Sequence, residues 1–294
     1  MLTEFISIKA DDGAVHQGLL FKPSRDTEKG AVHVHGLAGN FYENSFIPVM
    51  AEKYAERGIA FLSCNNRGHD YMADIEKDDK SGSAFFKGGG AYERFGECPR
   101  DIDAAVRFFE KNGISRIFLQ GHSTGCNKIV YSASQKKFDS VYCAALLSPC
   151  DDIALMTAEE DIKFEEGLRL AQKLVNEGKG GTLLPPETVF YPMSARTYLD
   201  YYTAGSAHDI FRYREPRSDF PGLSGLELPV LSTYGTEGEY LTISAEEAFG
   251  ILKTKVRSPE ILKTKTIAGA GHNYKGFEGE LTETILSWLE EIQF

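Results

Sequence analysis

The pentapeptide Gly121-His122-Ser123-Thr124-Gly125, set between the apolar run RIFLQ and the helical segment TGCNKIVYSAS, constrains the fold more than any other part of the chain. A strand that must become a helix within so few residues turns sharply, and small residues at 121 and 125 let the two backbones clear each other. Such a turn lifts Ser123 above the end of its strand and sets the free amides of the next helix beside it. The competing role for the same residues is a glycine-rich turn with a serine N-cap. The strand before and the helix after favour the first reading.

The rest of the chain supplies the sheet that such a turn needs. EFISIKA, AVHQGLLFKP, GAVHVHG, IAFLSCNN, RIFLQGHS, VYCAALLSP, LPVLSTYG and ILKTKTIAG read as strands, being short and rich in β-branched and aromatic residues. Asp11-Asp12-Gly13 is turn chemistry and joins the first two as a hairpin. The later runs are more continuously apolar, as expected of central parallel strands covered on both faces. Helical patterns span 46–57, 100–111, 124–134, 245–255 and 280–292, and in the second Ile102, Ala105, Val106 and Phe109 form one apolar stripe. The expected fold class is therefore α/β, a mostly parallel central sheet of about eight strands flanked by helices.

Two segments break the rhythm. From Asp151 to Leu226 there is no strand pattern, only a helical piece, Leu-Pro-Pro and the tyrosine-rich ARTYLDYYTAGSAHDIFRYR. So long an excursion predicts a helical cap (151–226) inserted after the sixth strand, with 1–150 and 227–294 as the core. Tyr198, Tyr201 and Tyr202 then either line the substrate pocket or pack inside the cap. The stretch 67–97, with KDDKSGSAFFKGGG, reads as a mobile surface loop.

Composition excludes more than it assigns. A net charge of -11 disfavours nucleic acid as a partner. The five cysteines show no Cys-x-x-Cys pair, so neither a disulfide framework nor a zinc site is expected, and they read as reduced and buried. With no long apolar run and no basic-then-apolar N-terminus, the expectation is a cytoplasmic protein without a membrane partner.

The chemistry expected of Ser123 needs a base, and His272 in Ala268-Gly269-Ala270-Gly271-His272-Asn273 follows the last strand on a glycine-rich loop able to carry an imidazole across the sheet edge. His35-Gly36-Leu37 ends an early strand, where the amide of Leu37 and that of Thr124 can form an oxyanion hole. Alternatively, His35 and Gly36 merely close that strand. Arg67 is expected to brace a loop, His122 to pack beside the turn, and Cys126 to lie in the first turn of the helix without taking the nucleophile's place.

Over essentially its whole length the chain resembles the α/β-hydrolase superfamily, on GAVHVHGLAGN, NNRGHD, LQGHSTGC, LPVLSTYGTEGEY and AGAGHN in that family's order. More narrowly, GHSTGC, LLSPCDD and SARTYLDYY resemble a branch related to fungal esterases that open siderophore ester bonds. The resemblance implies a serine hydrolase that cleaves an ester-type bond of a small-molecule substrate through an acyl-enzyme, without metal or organic cofactor, and leaves homodimer formation open. It also implies a triad acid a few residues after LPVLSTYG, where Gly238 stands instead. Glu239 or Glu237 can cover that shift, or Asp151 or Asp152 can act from the neighbouring strand end; position in the loop favours Glu239, then Asp151. The rival activities are those of an amidase, thioesterase or C–C hydrolase with the same residues, and a non-catalytic ligand-binding protein on the same scaffold.

Overall fold

The computed structural model describes residues 1–79 and 82–294. An eight-stranded sheet runs through the molecule in the order β1-β2-β4-β3-β7-β8-β9-β10. Its strands are β1 (Leu2–Lys9), β2 (Val15–Lys22), β3 (Lys29–Val34), β4 (Ala60–Cys64), β7 (Arg116–His122), β8 (Val141–Leu147), β9 (Val230–Gly235) and β10 (Leu262–Ile267), while β5 (Ala73–Asp79) and β6 (Gly82–Gly88) form a separate pair. β1 and β2 pair antiparallel from Leu2↔Lys22 to Lys9↔Val15, and Gly13 takes the positive φ (91°) that the turn between them requires. From β4 onward every neighbour is parallel. These are the eight runs that read as strands, in a mixed sheet of the expected class.

Helices α1 (Phe46–Glu56), α2 (Cys98–Lys111), α3 (Thr124–Gln135), α7 (Ala245–Lys255) and α8 (Glu278–Glu291) coat the two faces. α2 starts earlier than its apolar stripe because Pro99 fits the first turn, where no amide hydrogen is needed. One face buries Ile102, Val106 and Phe109 of α2 with Leu119 and Ile129; the other buries Phe46, Met50 and Tyr54 of α1 with Leu281, Ile285 and Trp288 of α8. At about 25 cal/mol per Å² of apolar surface, these layers are the main stabilising term.

Between β8 and β9 lie α4 (Asp152–Ala158), α5 (Phe164–Asn176) and α6 (Ala195–Tyr202). They share their own apolar cluster, with Phe164, Ala171, Leu184 and Met193 around Tyr198, Tyr201 and Tyr202. The run from Ile210 to Leu226 packs instead into the main core.

The stretch read as a mobile loop is corrected in part: β5 and β6 pair antiparallel over it, from Ala73↔Gly88 to Asp79↔Gly82, while residues 80 and 81 lie outside the described residues. Asp78 donates its amide to the Gly13 carbonyl, so the ribbon rests on the first hairpin, and Ile75, opposite Phe86, is buried in the core. Asp74 and Asp78 are exposed on one side of β5, and only Ala73, Ile75 and Phe86 of the ribbon's described side chains pack against the core, which is a weak apolar signal.

Arg67 braces as expected. Its guanidinium is buried and donates to both carboxylate oxygens of Asp101, at 2.7–3.2 Å, and to Asp12 and Glu97, while His16 meets Asp101 at 2.9 Å. These partners hold the Asp101 carboxyl well below the usual range although burial opposes it. All five cysteines are buried and unpaired. Among the described residues no helix is long and apolar enough to cross a membrane.

Candidate active site

β7 passes into α3 through Ser123, which takes φ 56° and ψ -129°. A side chain rarely adopts this conformation, and the strain of about 1–3 kcal/mol persists only because the surroundings fix it. They do so by contact. A Cβ added at Gly125 would lie 2.1 Å from the Val34 carbonyl oxygen, and one at Gly121 would lie 2.7 Å from the Gly125 carbonyl. The Ser123 amide is tied to the Leu147 carbonyl at 2.9 Å.

Beside the turn, His272 follows β10 on the glycine-rich loop. The backbones of that loop and of the end of β9 touch so closely that a Cβ at Gly235 would meet the Ala270 oxygen at 2.0 Å. Its Nδ1 lies 3.1 Å from Glu239 Oε2, and the two side chains are 6% and 8% exposed. Gly238 takes φ 59°, a left-handed turn that brings the next residue, Glu239, back toward the sheet. The other carboxylate oxygen, Oε1, accepts from the Gly235 amide at 2.6 Å and from Ser148 Oγ at 2.8 Å. Ser148 is held in turn by Tyr274, whose hydroxyl it meets at 2.8 Å, and both residues have φ 52°.

His122 donates from Nε2 to the His272 carbonyl at 2.8 Å, with ring centroids 4.9 Å apart, while the Tyr240 ring lies 4.3 Å from the imidazole. Burial keeps His122 well below its ordinary pKa, so it serves as a neutral brace. Ser123, His272 and the residue of the expected oxyanion loop, Leu37, all line one cavity of about 510 Å³. Ser123 Oγ makes its nearest described polar contact with Cys150 Sγ, at 3.9 Å, and its bond to His272 is not formed in this conformation. Catalytic hydrogen bonds of this kind commonly tighten only when substrate is bound.

On the opposite wall, a Cβ at Gly36 would touch Ser123 Cβ at 3.0 Å and the Thr124 amide nitrogen at 3.3 Å, so the Gly36-Leu37 loop lies against the turn. Among the described residues neither the Leu37 amide nor the Thr124 amide donates to another group. His35 holds the loop: its Nδ1–H donates to the Gly36 carbonyl at 2.9 Å and its Nε2 accepts from the Asn66 amide at 3.0 Å. That pattern requires a neutral ring.

The remaining acid candidates stand elsewhere. Asp151 caps α4 through the Ala154 amide and pairs with Arg214 at 2.6 Å. Its carboxylate is spent on the segment after β8. Glu237 is exposed, and only its backbone meets the histidine loop. Asp152 lines the cavity, but it faces Cys150 and His208 rather than His272. Tyr198, Tyr201 and Tyr202 correct the pocket-lining expectation, because all three are buried in the apolar cluster of α5 and α6. Tyr71, Tyr191 and Tyr240 line the cavity in their place. Sequence reading missed these three, as well as Ser148 and Tyr274; only Tyr240, directly after Glu239, carried a positional signal.

Three buried histidines make the site sensitive to acid. Burial lowers His33 to about 3 and holds His35 and His122 well below 6.5. A histidine whose folded pKa is depressed contributes stability that is fully present above its unfolded pKa of about 6.5 and is lost as pH falls toward the folded value. The expected outcome is that the unfolding free energy drops between about pH 6.5 and 4, by up to about 1.4 kcal/mol per pH unit for each ring. Urea melts at a series of pH values check it, and a flat profile across that window contradicts it.

Among solved structures, the chain is similar to the siderophore hydrolase EstB of Aspergillus fumigatus (16% identity, TM-score 0.69, 99% of this chain and 98% of that one). It is likewise similar to Est1E of Butyrivibrio proteoclasticus with ferulic acid bound (20%, 0.67, 97% and 98%). A third is the α/β hydrolase GrgF of Penicillium sp. sh18 (14%, 0.67, 99% and 97%). These likenesses establish the α/β-hydrolase fold. No curated protein matches the chain in sequence. A family model described as "Protein of unknown function (DUF1749)" matches residues 83–286, more than half of the chain.

Proposed function

The chain belongs to the DUF1749 family, and within it we propose a serine hydrolase that cleaves an ester bond of a small molecule. The observation that carries this reading is the conjunction at one cavity of a strained Ser123 and a His272 whose Nδ1 is held by Glu239. Strain at a non-glycine residue persists where structure over-determines it, and such places are commonly functional. Neighbours named as esterases and a siderophore hydrolase support the same class.

Glu239 keeps the His272 proton on Nδ1 and leaves Nε2 free to accept the Ser123 proton. Ser123 Oγ then attacks the carbonyl carbon, and the negative charge moves to the carbonyl oxygen. The amides of Leu37 and Thr124, which have no other partner among the described residues, receive that charge. The imidazolium gives its proton to the leaving alcohol, and an acyl-serine remains. Water, deprotonated by the same ring, repeats the sequence and releases the acid. Side chains and backbone of this chain suffice for every step. Within the segment 151–226, the part that carries α4 to α6 acts as the cap, bringing Asp152 and Tyr191 to the cavity.

The test is steady-state kinetics on p-nitrophenyl acetate and butyrate beside the matched anilides. Saturable turnover of the esters, with the anilides much slower, is the expected outcome. Turnover of anilides without esters makes the protein an amidase, and turnover of neither rejects this reading.

A further inference from the structure

Asp152 remains unexplained by the reaction above. Its carboxylate lines the cavity that holds Ser123, yet its side chain is only 16% exposed. It accepts one weak bond, from the Cys150 thiol at 3.6 Å, and its Oδ2 is buried without a hydrogen-bond partner. His208 Nε2 approaches Oδ2 to 3.1 Å, off hydrogen-bond alignment, and among the described residues no lysine or arginine pairs with Asp152. A half-buried carboxylate with one oxygen sequestered and unsatisfied costs free energy that a ligand can recover.

The position is close to the chemistry. Cys150 Sγ lies 3.9 Å from Ser123 Oγ and 3.6 Å from Asp152 Oδ1, so the carboxylate is one thiol away from the nucleophile. The same cavity is lined by Tyr71, Tyr191 and Tyr240, and the Tyr71 and Tyr191 rings stand 5.4 Å apart. Burial, with Tyr240, Tyr71 and Asp152 among its neighbours, raises the Tyr191 phenol and keeps it uncharged. The other charged side chains on the wall are Glu43 and Lys275, so carboxylates outnumber ammonium groups.

A carboxylate and several aromatic rings lining one cavity is the chemistry that recognises an organic cation. Building on the hydrolase reading, we propose that the site selects esters carrying an ammonium group a short spacer from the scissile carbonyl, with Asp152 as the specificity-determining residue. The cation sits on the acyl side or on the leaving group; the two share one recognition chemistry and are told apart below.

Two matched pairs decide it. Acetylthiocholine against S-(3,3-dimethylbutyl) thioacetate places the cation on the leaving group. The 4-nitrophenyl ester of 4-(trimethylammonio)butanoic acid against that of 5,5-dimethylhexanoic acid places it on the acyl side. The expected result is that in at least one pair kcat/KM favours the cationic member by about tenfold or more, and that Asp152→Asn brings that ratio toward unity. Wild-type ratios at or below unity in both pairs overturn the proposal, as does a preference that survives Asp152→Asn. Calorimetric binding of phenyltrimethylammonium to wild type and to Asp152→Asn is independent of turnover. Binding that weakens about tenfold in the variant supports the proposal, and equal affinity overturns it. If no ester is hydrolysed at all, the hydrolase reading fails while the binding comparison still decides this one. Should Asp152→Asn not fold, the wild-type ratios stand as the test.

Discussion

Glu239→Gln is expected to lower kcat for ester hydrolysis by about 10⁴-fold with KM little changed. The size follows from where the substituted amide must point. Oε1 accepts from the Gly235 amide at 2.6 Å, and a backbone amide can only donate. Glutamine therefore keeps its oxygen there, and its NH₂ group falls opposite His272 Nδ1, where Glu239 Oε2 now lies at 3.1 Å. A donor facing Nδ1 forces the ring proton to Nε2, which is the tautomer unable to accept from Ser123. Asp151→Asn is the control: its carboxylate serves Arg214 and the α4 cap, so it costs about 1–3 kcal/mol of stability and leaves kcat near wild type. Kinetics and thermal melts of the two variants separate the roles. A large kcat loss in Asp151→Asn with none in Glu239→Gln contradicts the assignment.

Ser123→Ala is expected to remove more, about 10⁶-fold in kcat, leaving the residual rate that an oxyanion hole and binding alone support. Its fold should be nearly untouched. The hydroxyl makes only the 3.9 Å contact with Cys150 Sγ, and alanine bears the same φ of 56° at much the same cost. A melting temperature close to wild type beside a collapsed kcat is therefore the expected pair of readings. Substantial residual turnover in a folded Ser123→Ala protein places the nucleophile elsewhere, and Cys150 would be the first residue to examine.

How far the sequence reaches is set by how local each signal is. The central parallel strands were readable because covered strands are continuously apolar, the first two because a turn joins them as a hairpin, and the turn at Ser123 because its glycines are sterically compulsory and close in the chain. The β5–β6 ribbon was not readable: among its described residues it buries only one apolar side chain deeply, Ile75, among charged neighbours. The carboxylate beside His272 was ambiguous for a different reason. Glu239 reaches the ring only because Gly238 turns left-handed and Ser148 and the Gly235 amide hold the far oxygen, a conjunction of β8, β9 and the loop after it. Tyrosine content marked the segment 151–226, yet composition does not tell an inward face from a cavity wall. Tyr198, Tyr201 and Tyr202 fell on the first, and Tyr191 on the second.

The central claim is that Ser123 is an activated nucleophile, and labelling by a fluorophosphonate tests it most directly, because the reagent phosphonylates a serine only where a base and an oxyanion site activate it. The account predicts stoichiometric labelling of the wild-type protein, located by peptide mass spectrometry on Ser123, strong slowing in Glu239→Gln and none in folded Ser123→Ala. Wild-type protein that stays unlabelled, or labelling that persists in Ser123→Ala, would contradict it.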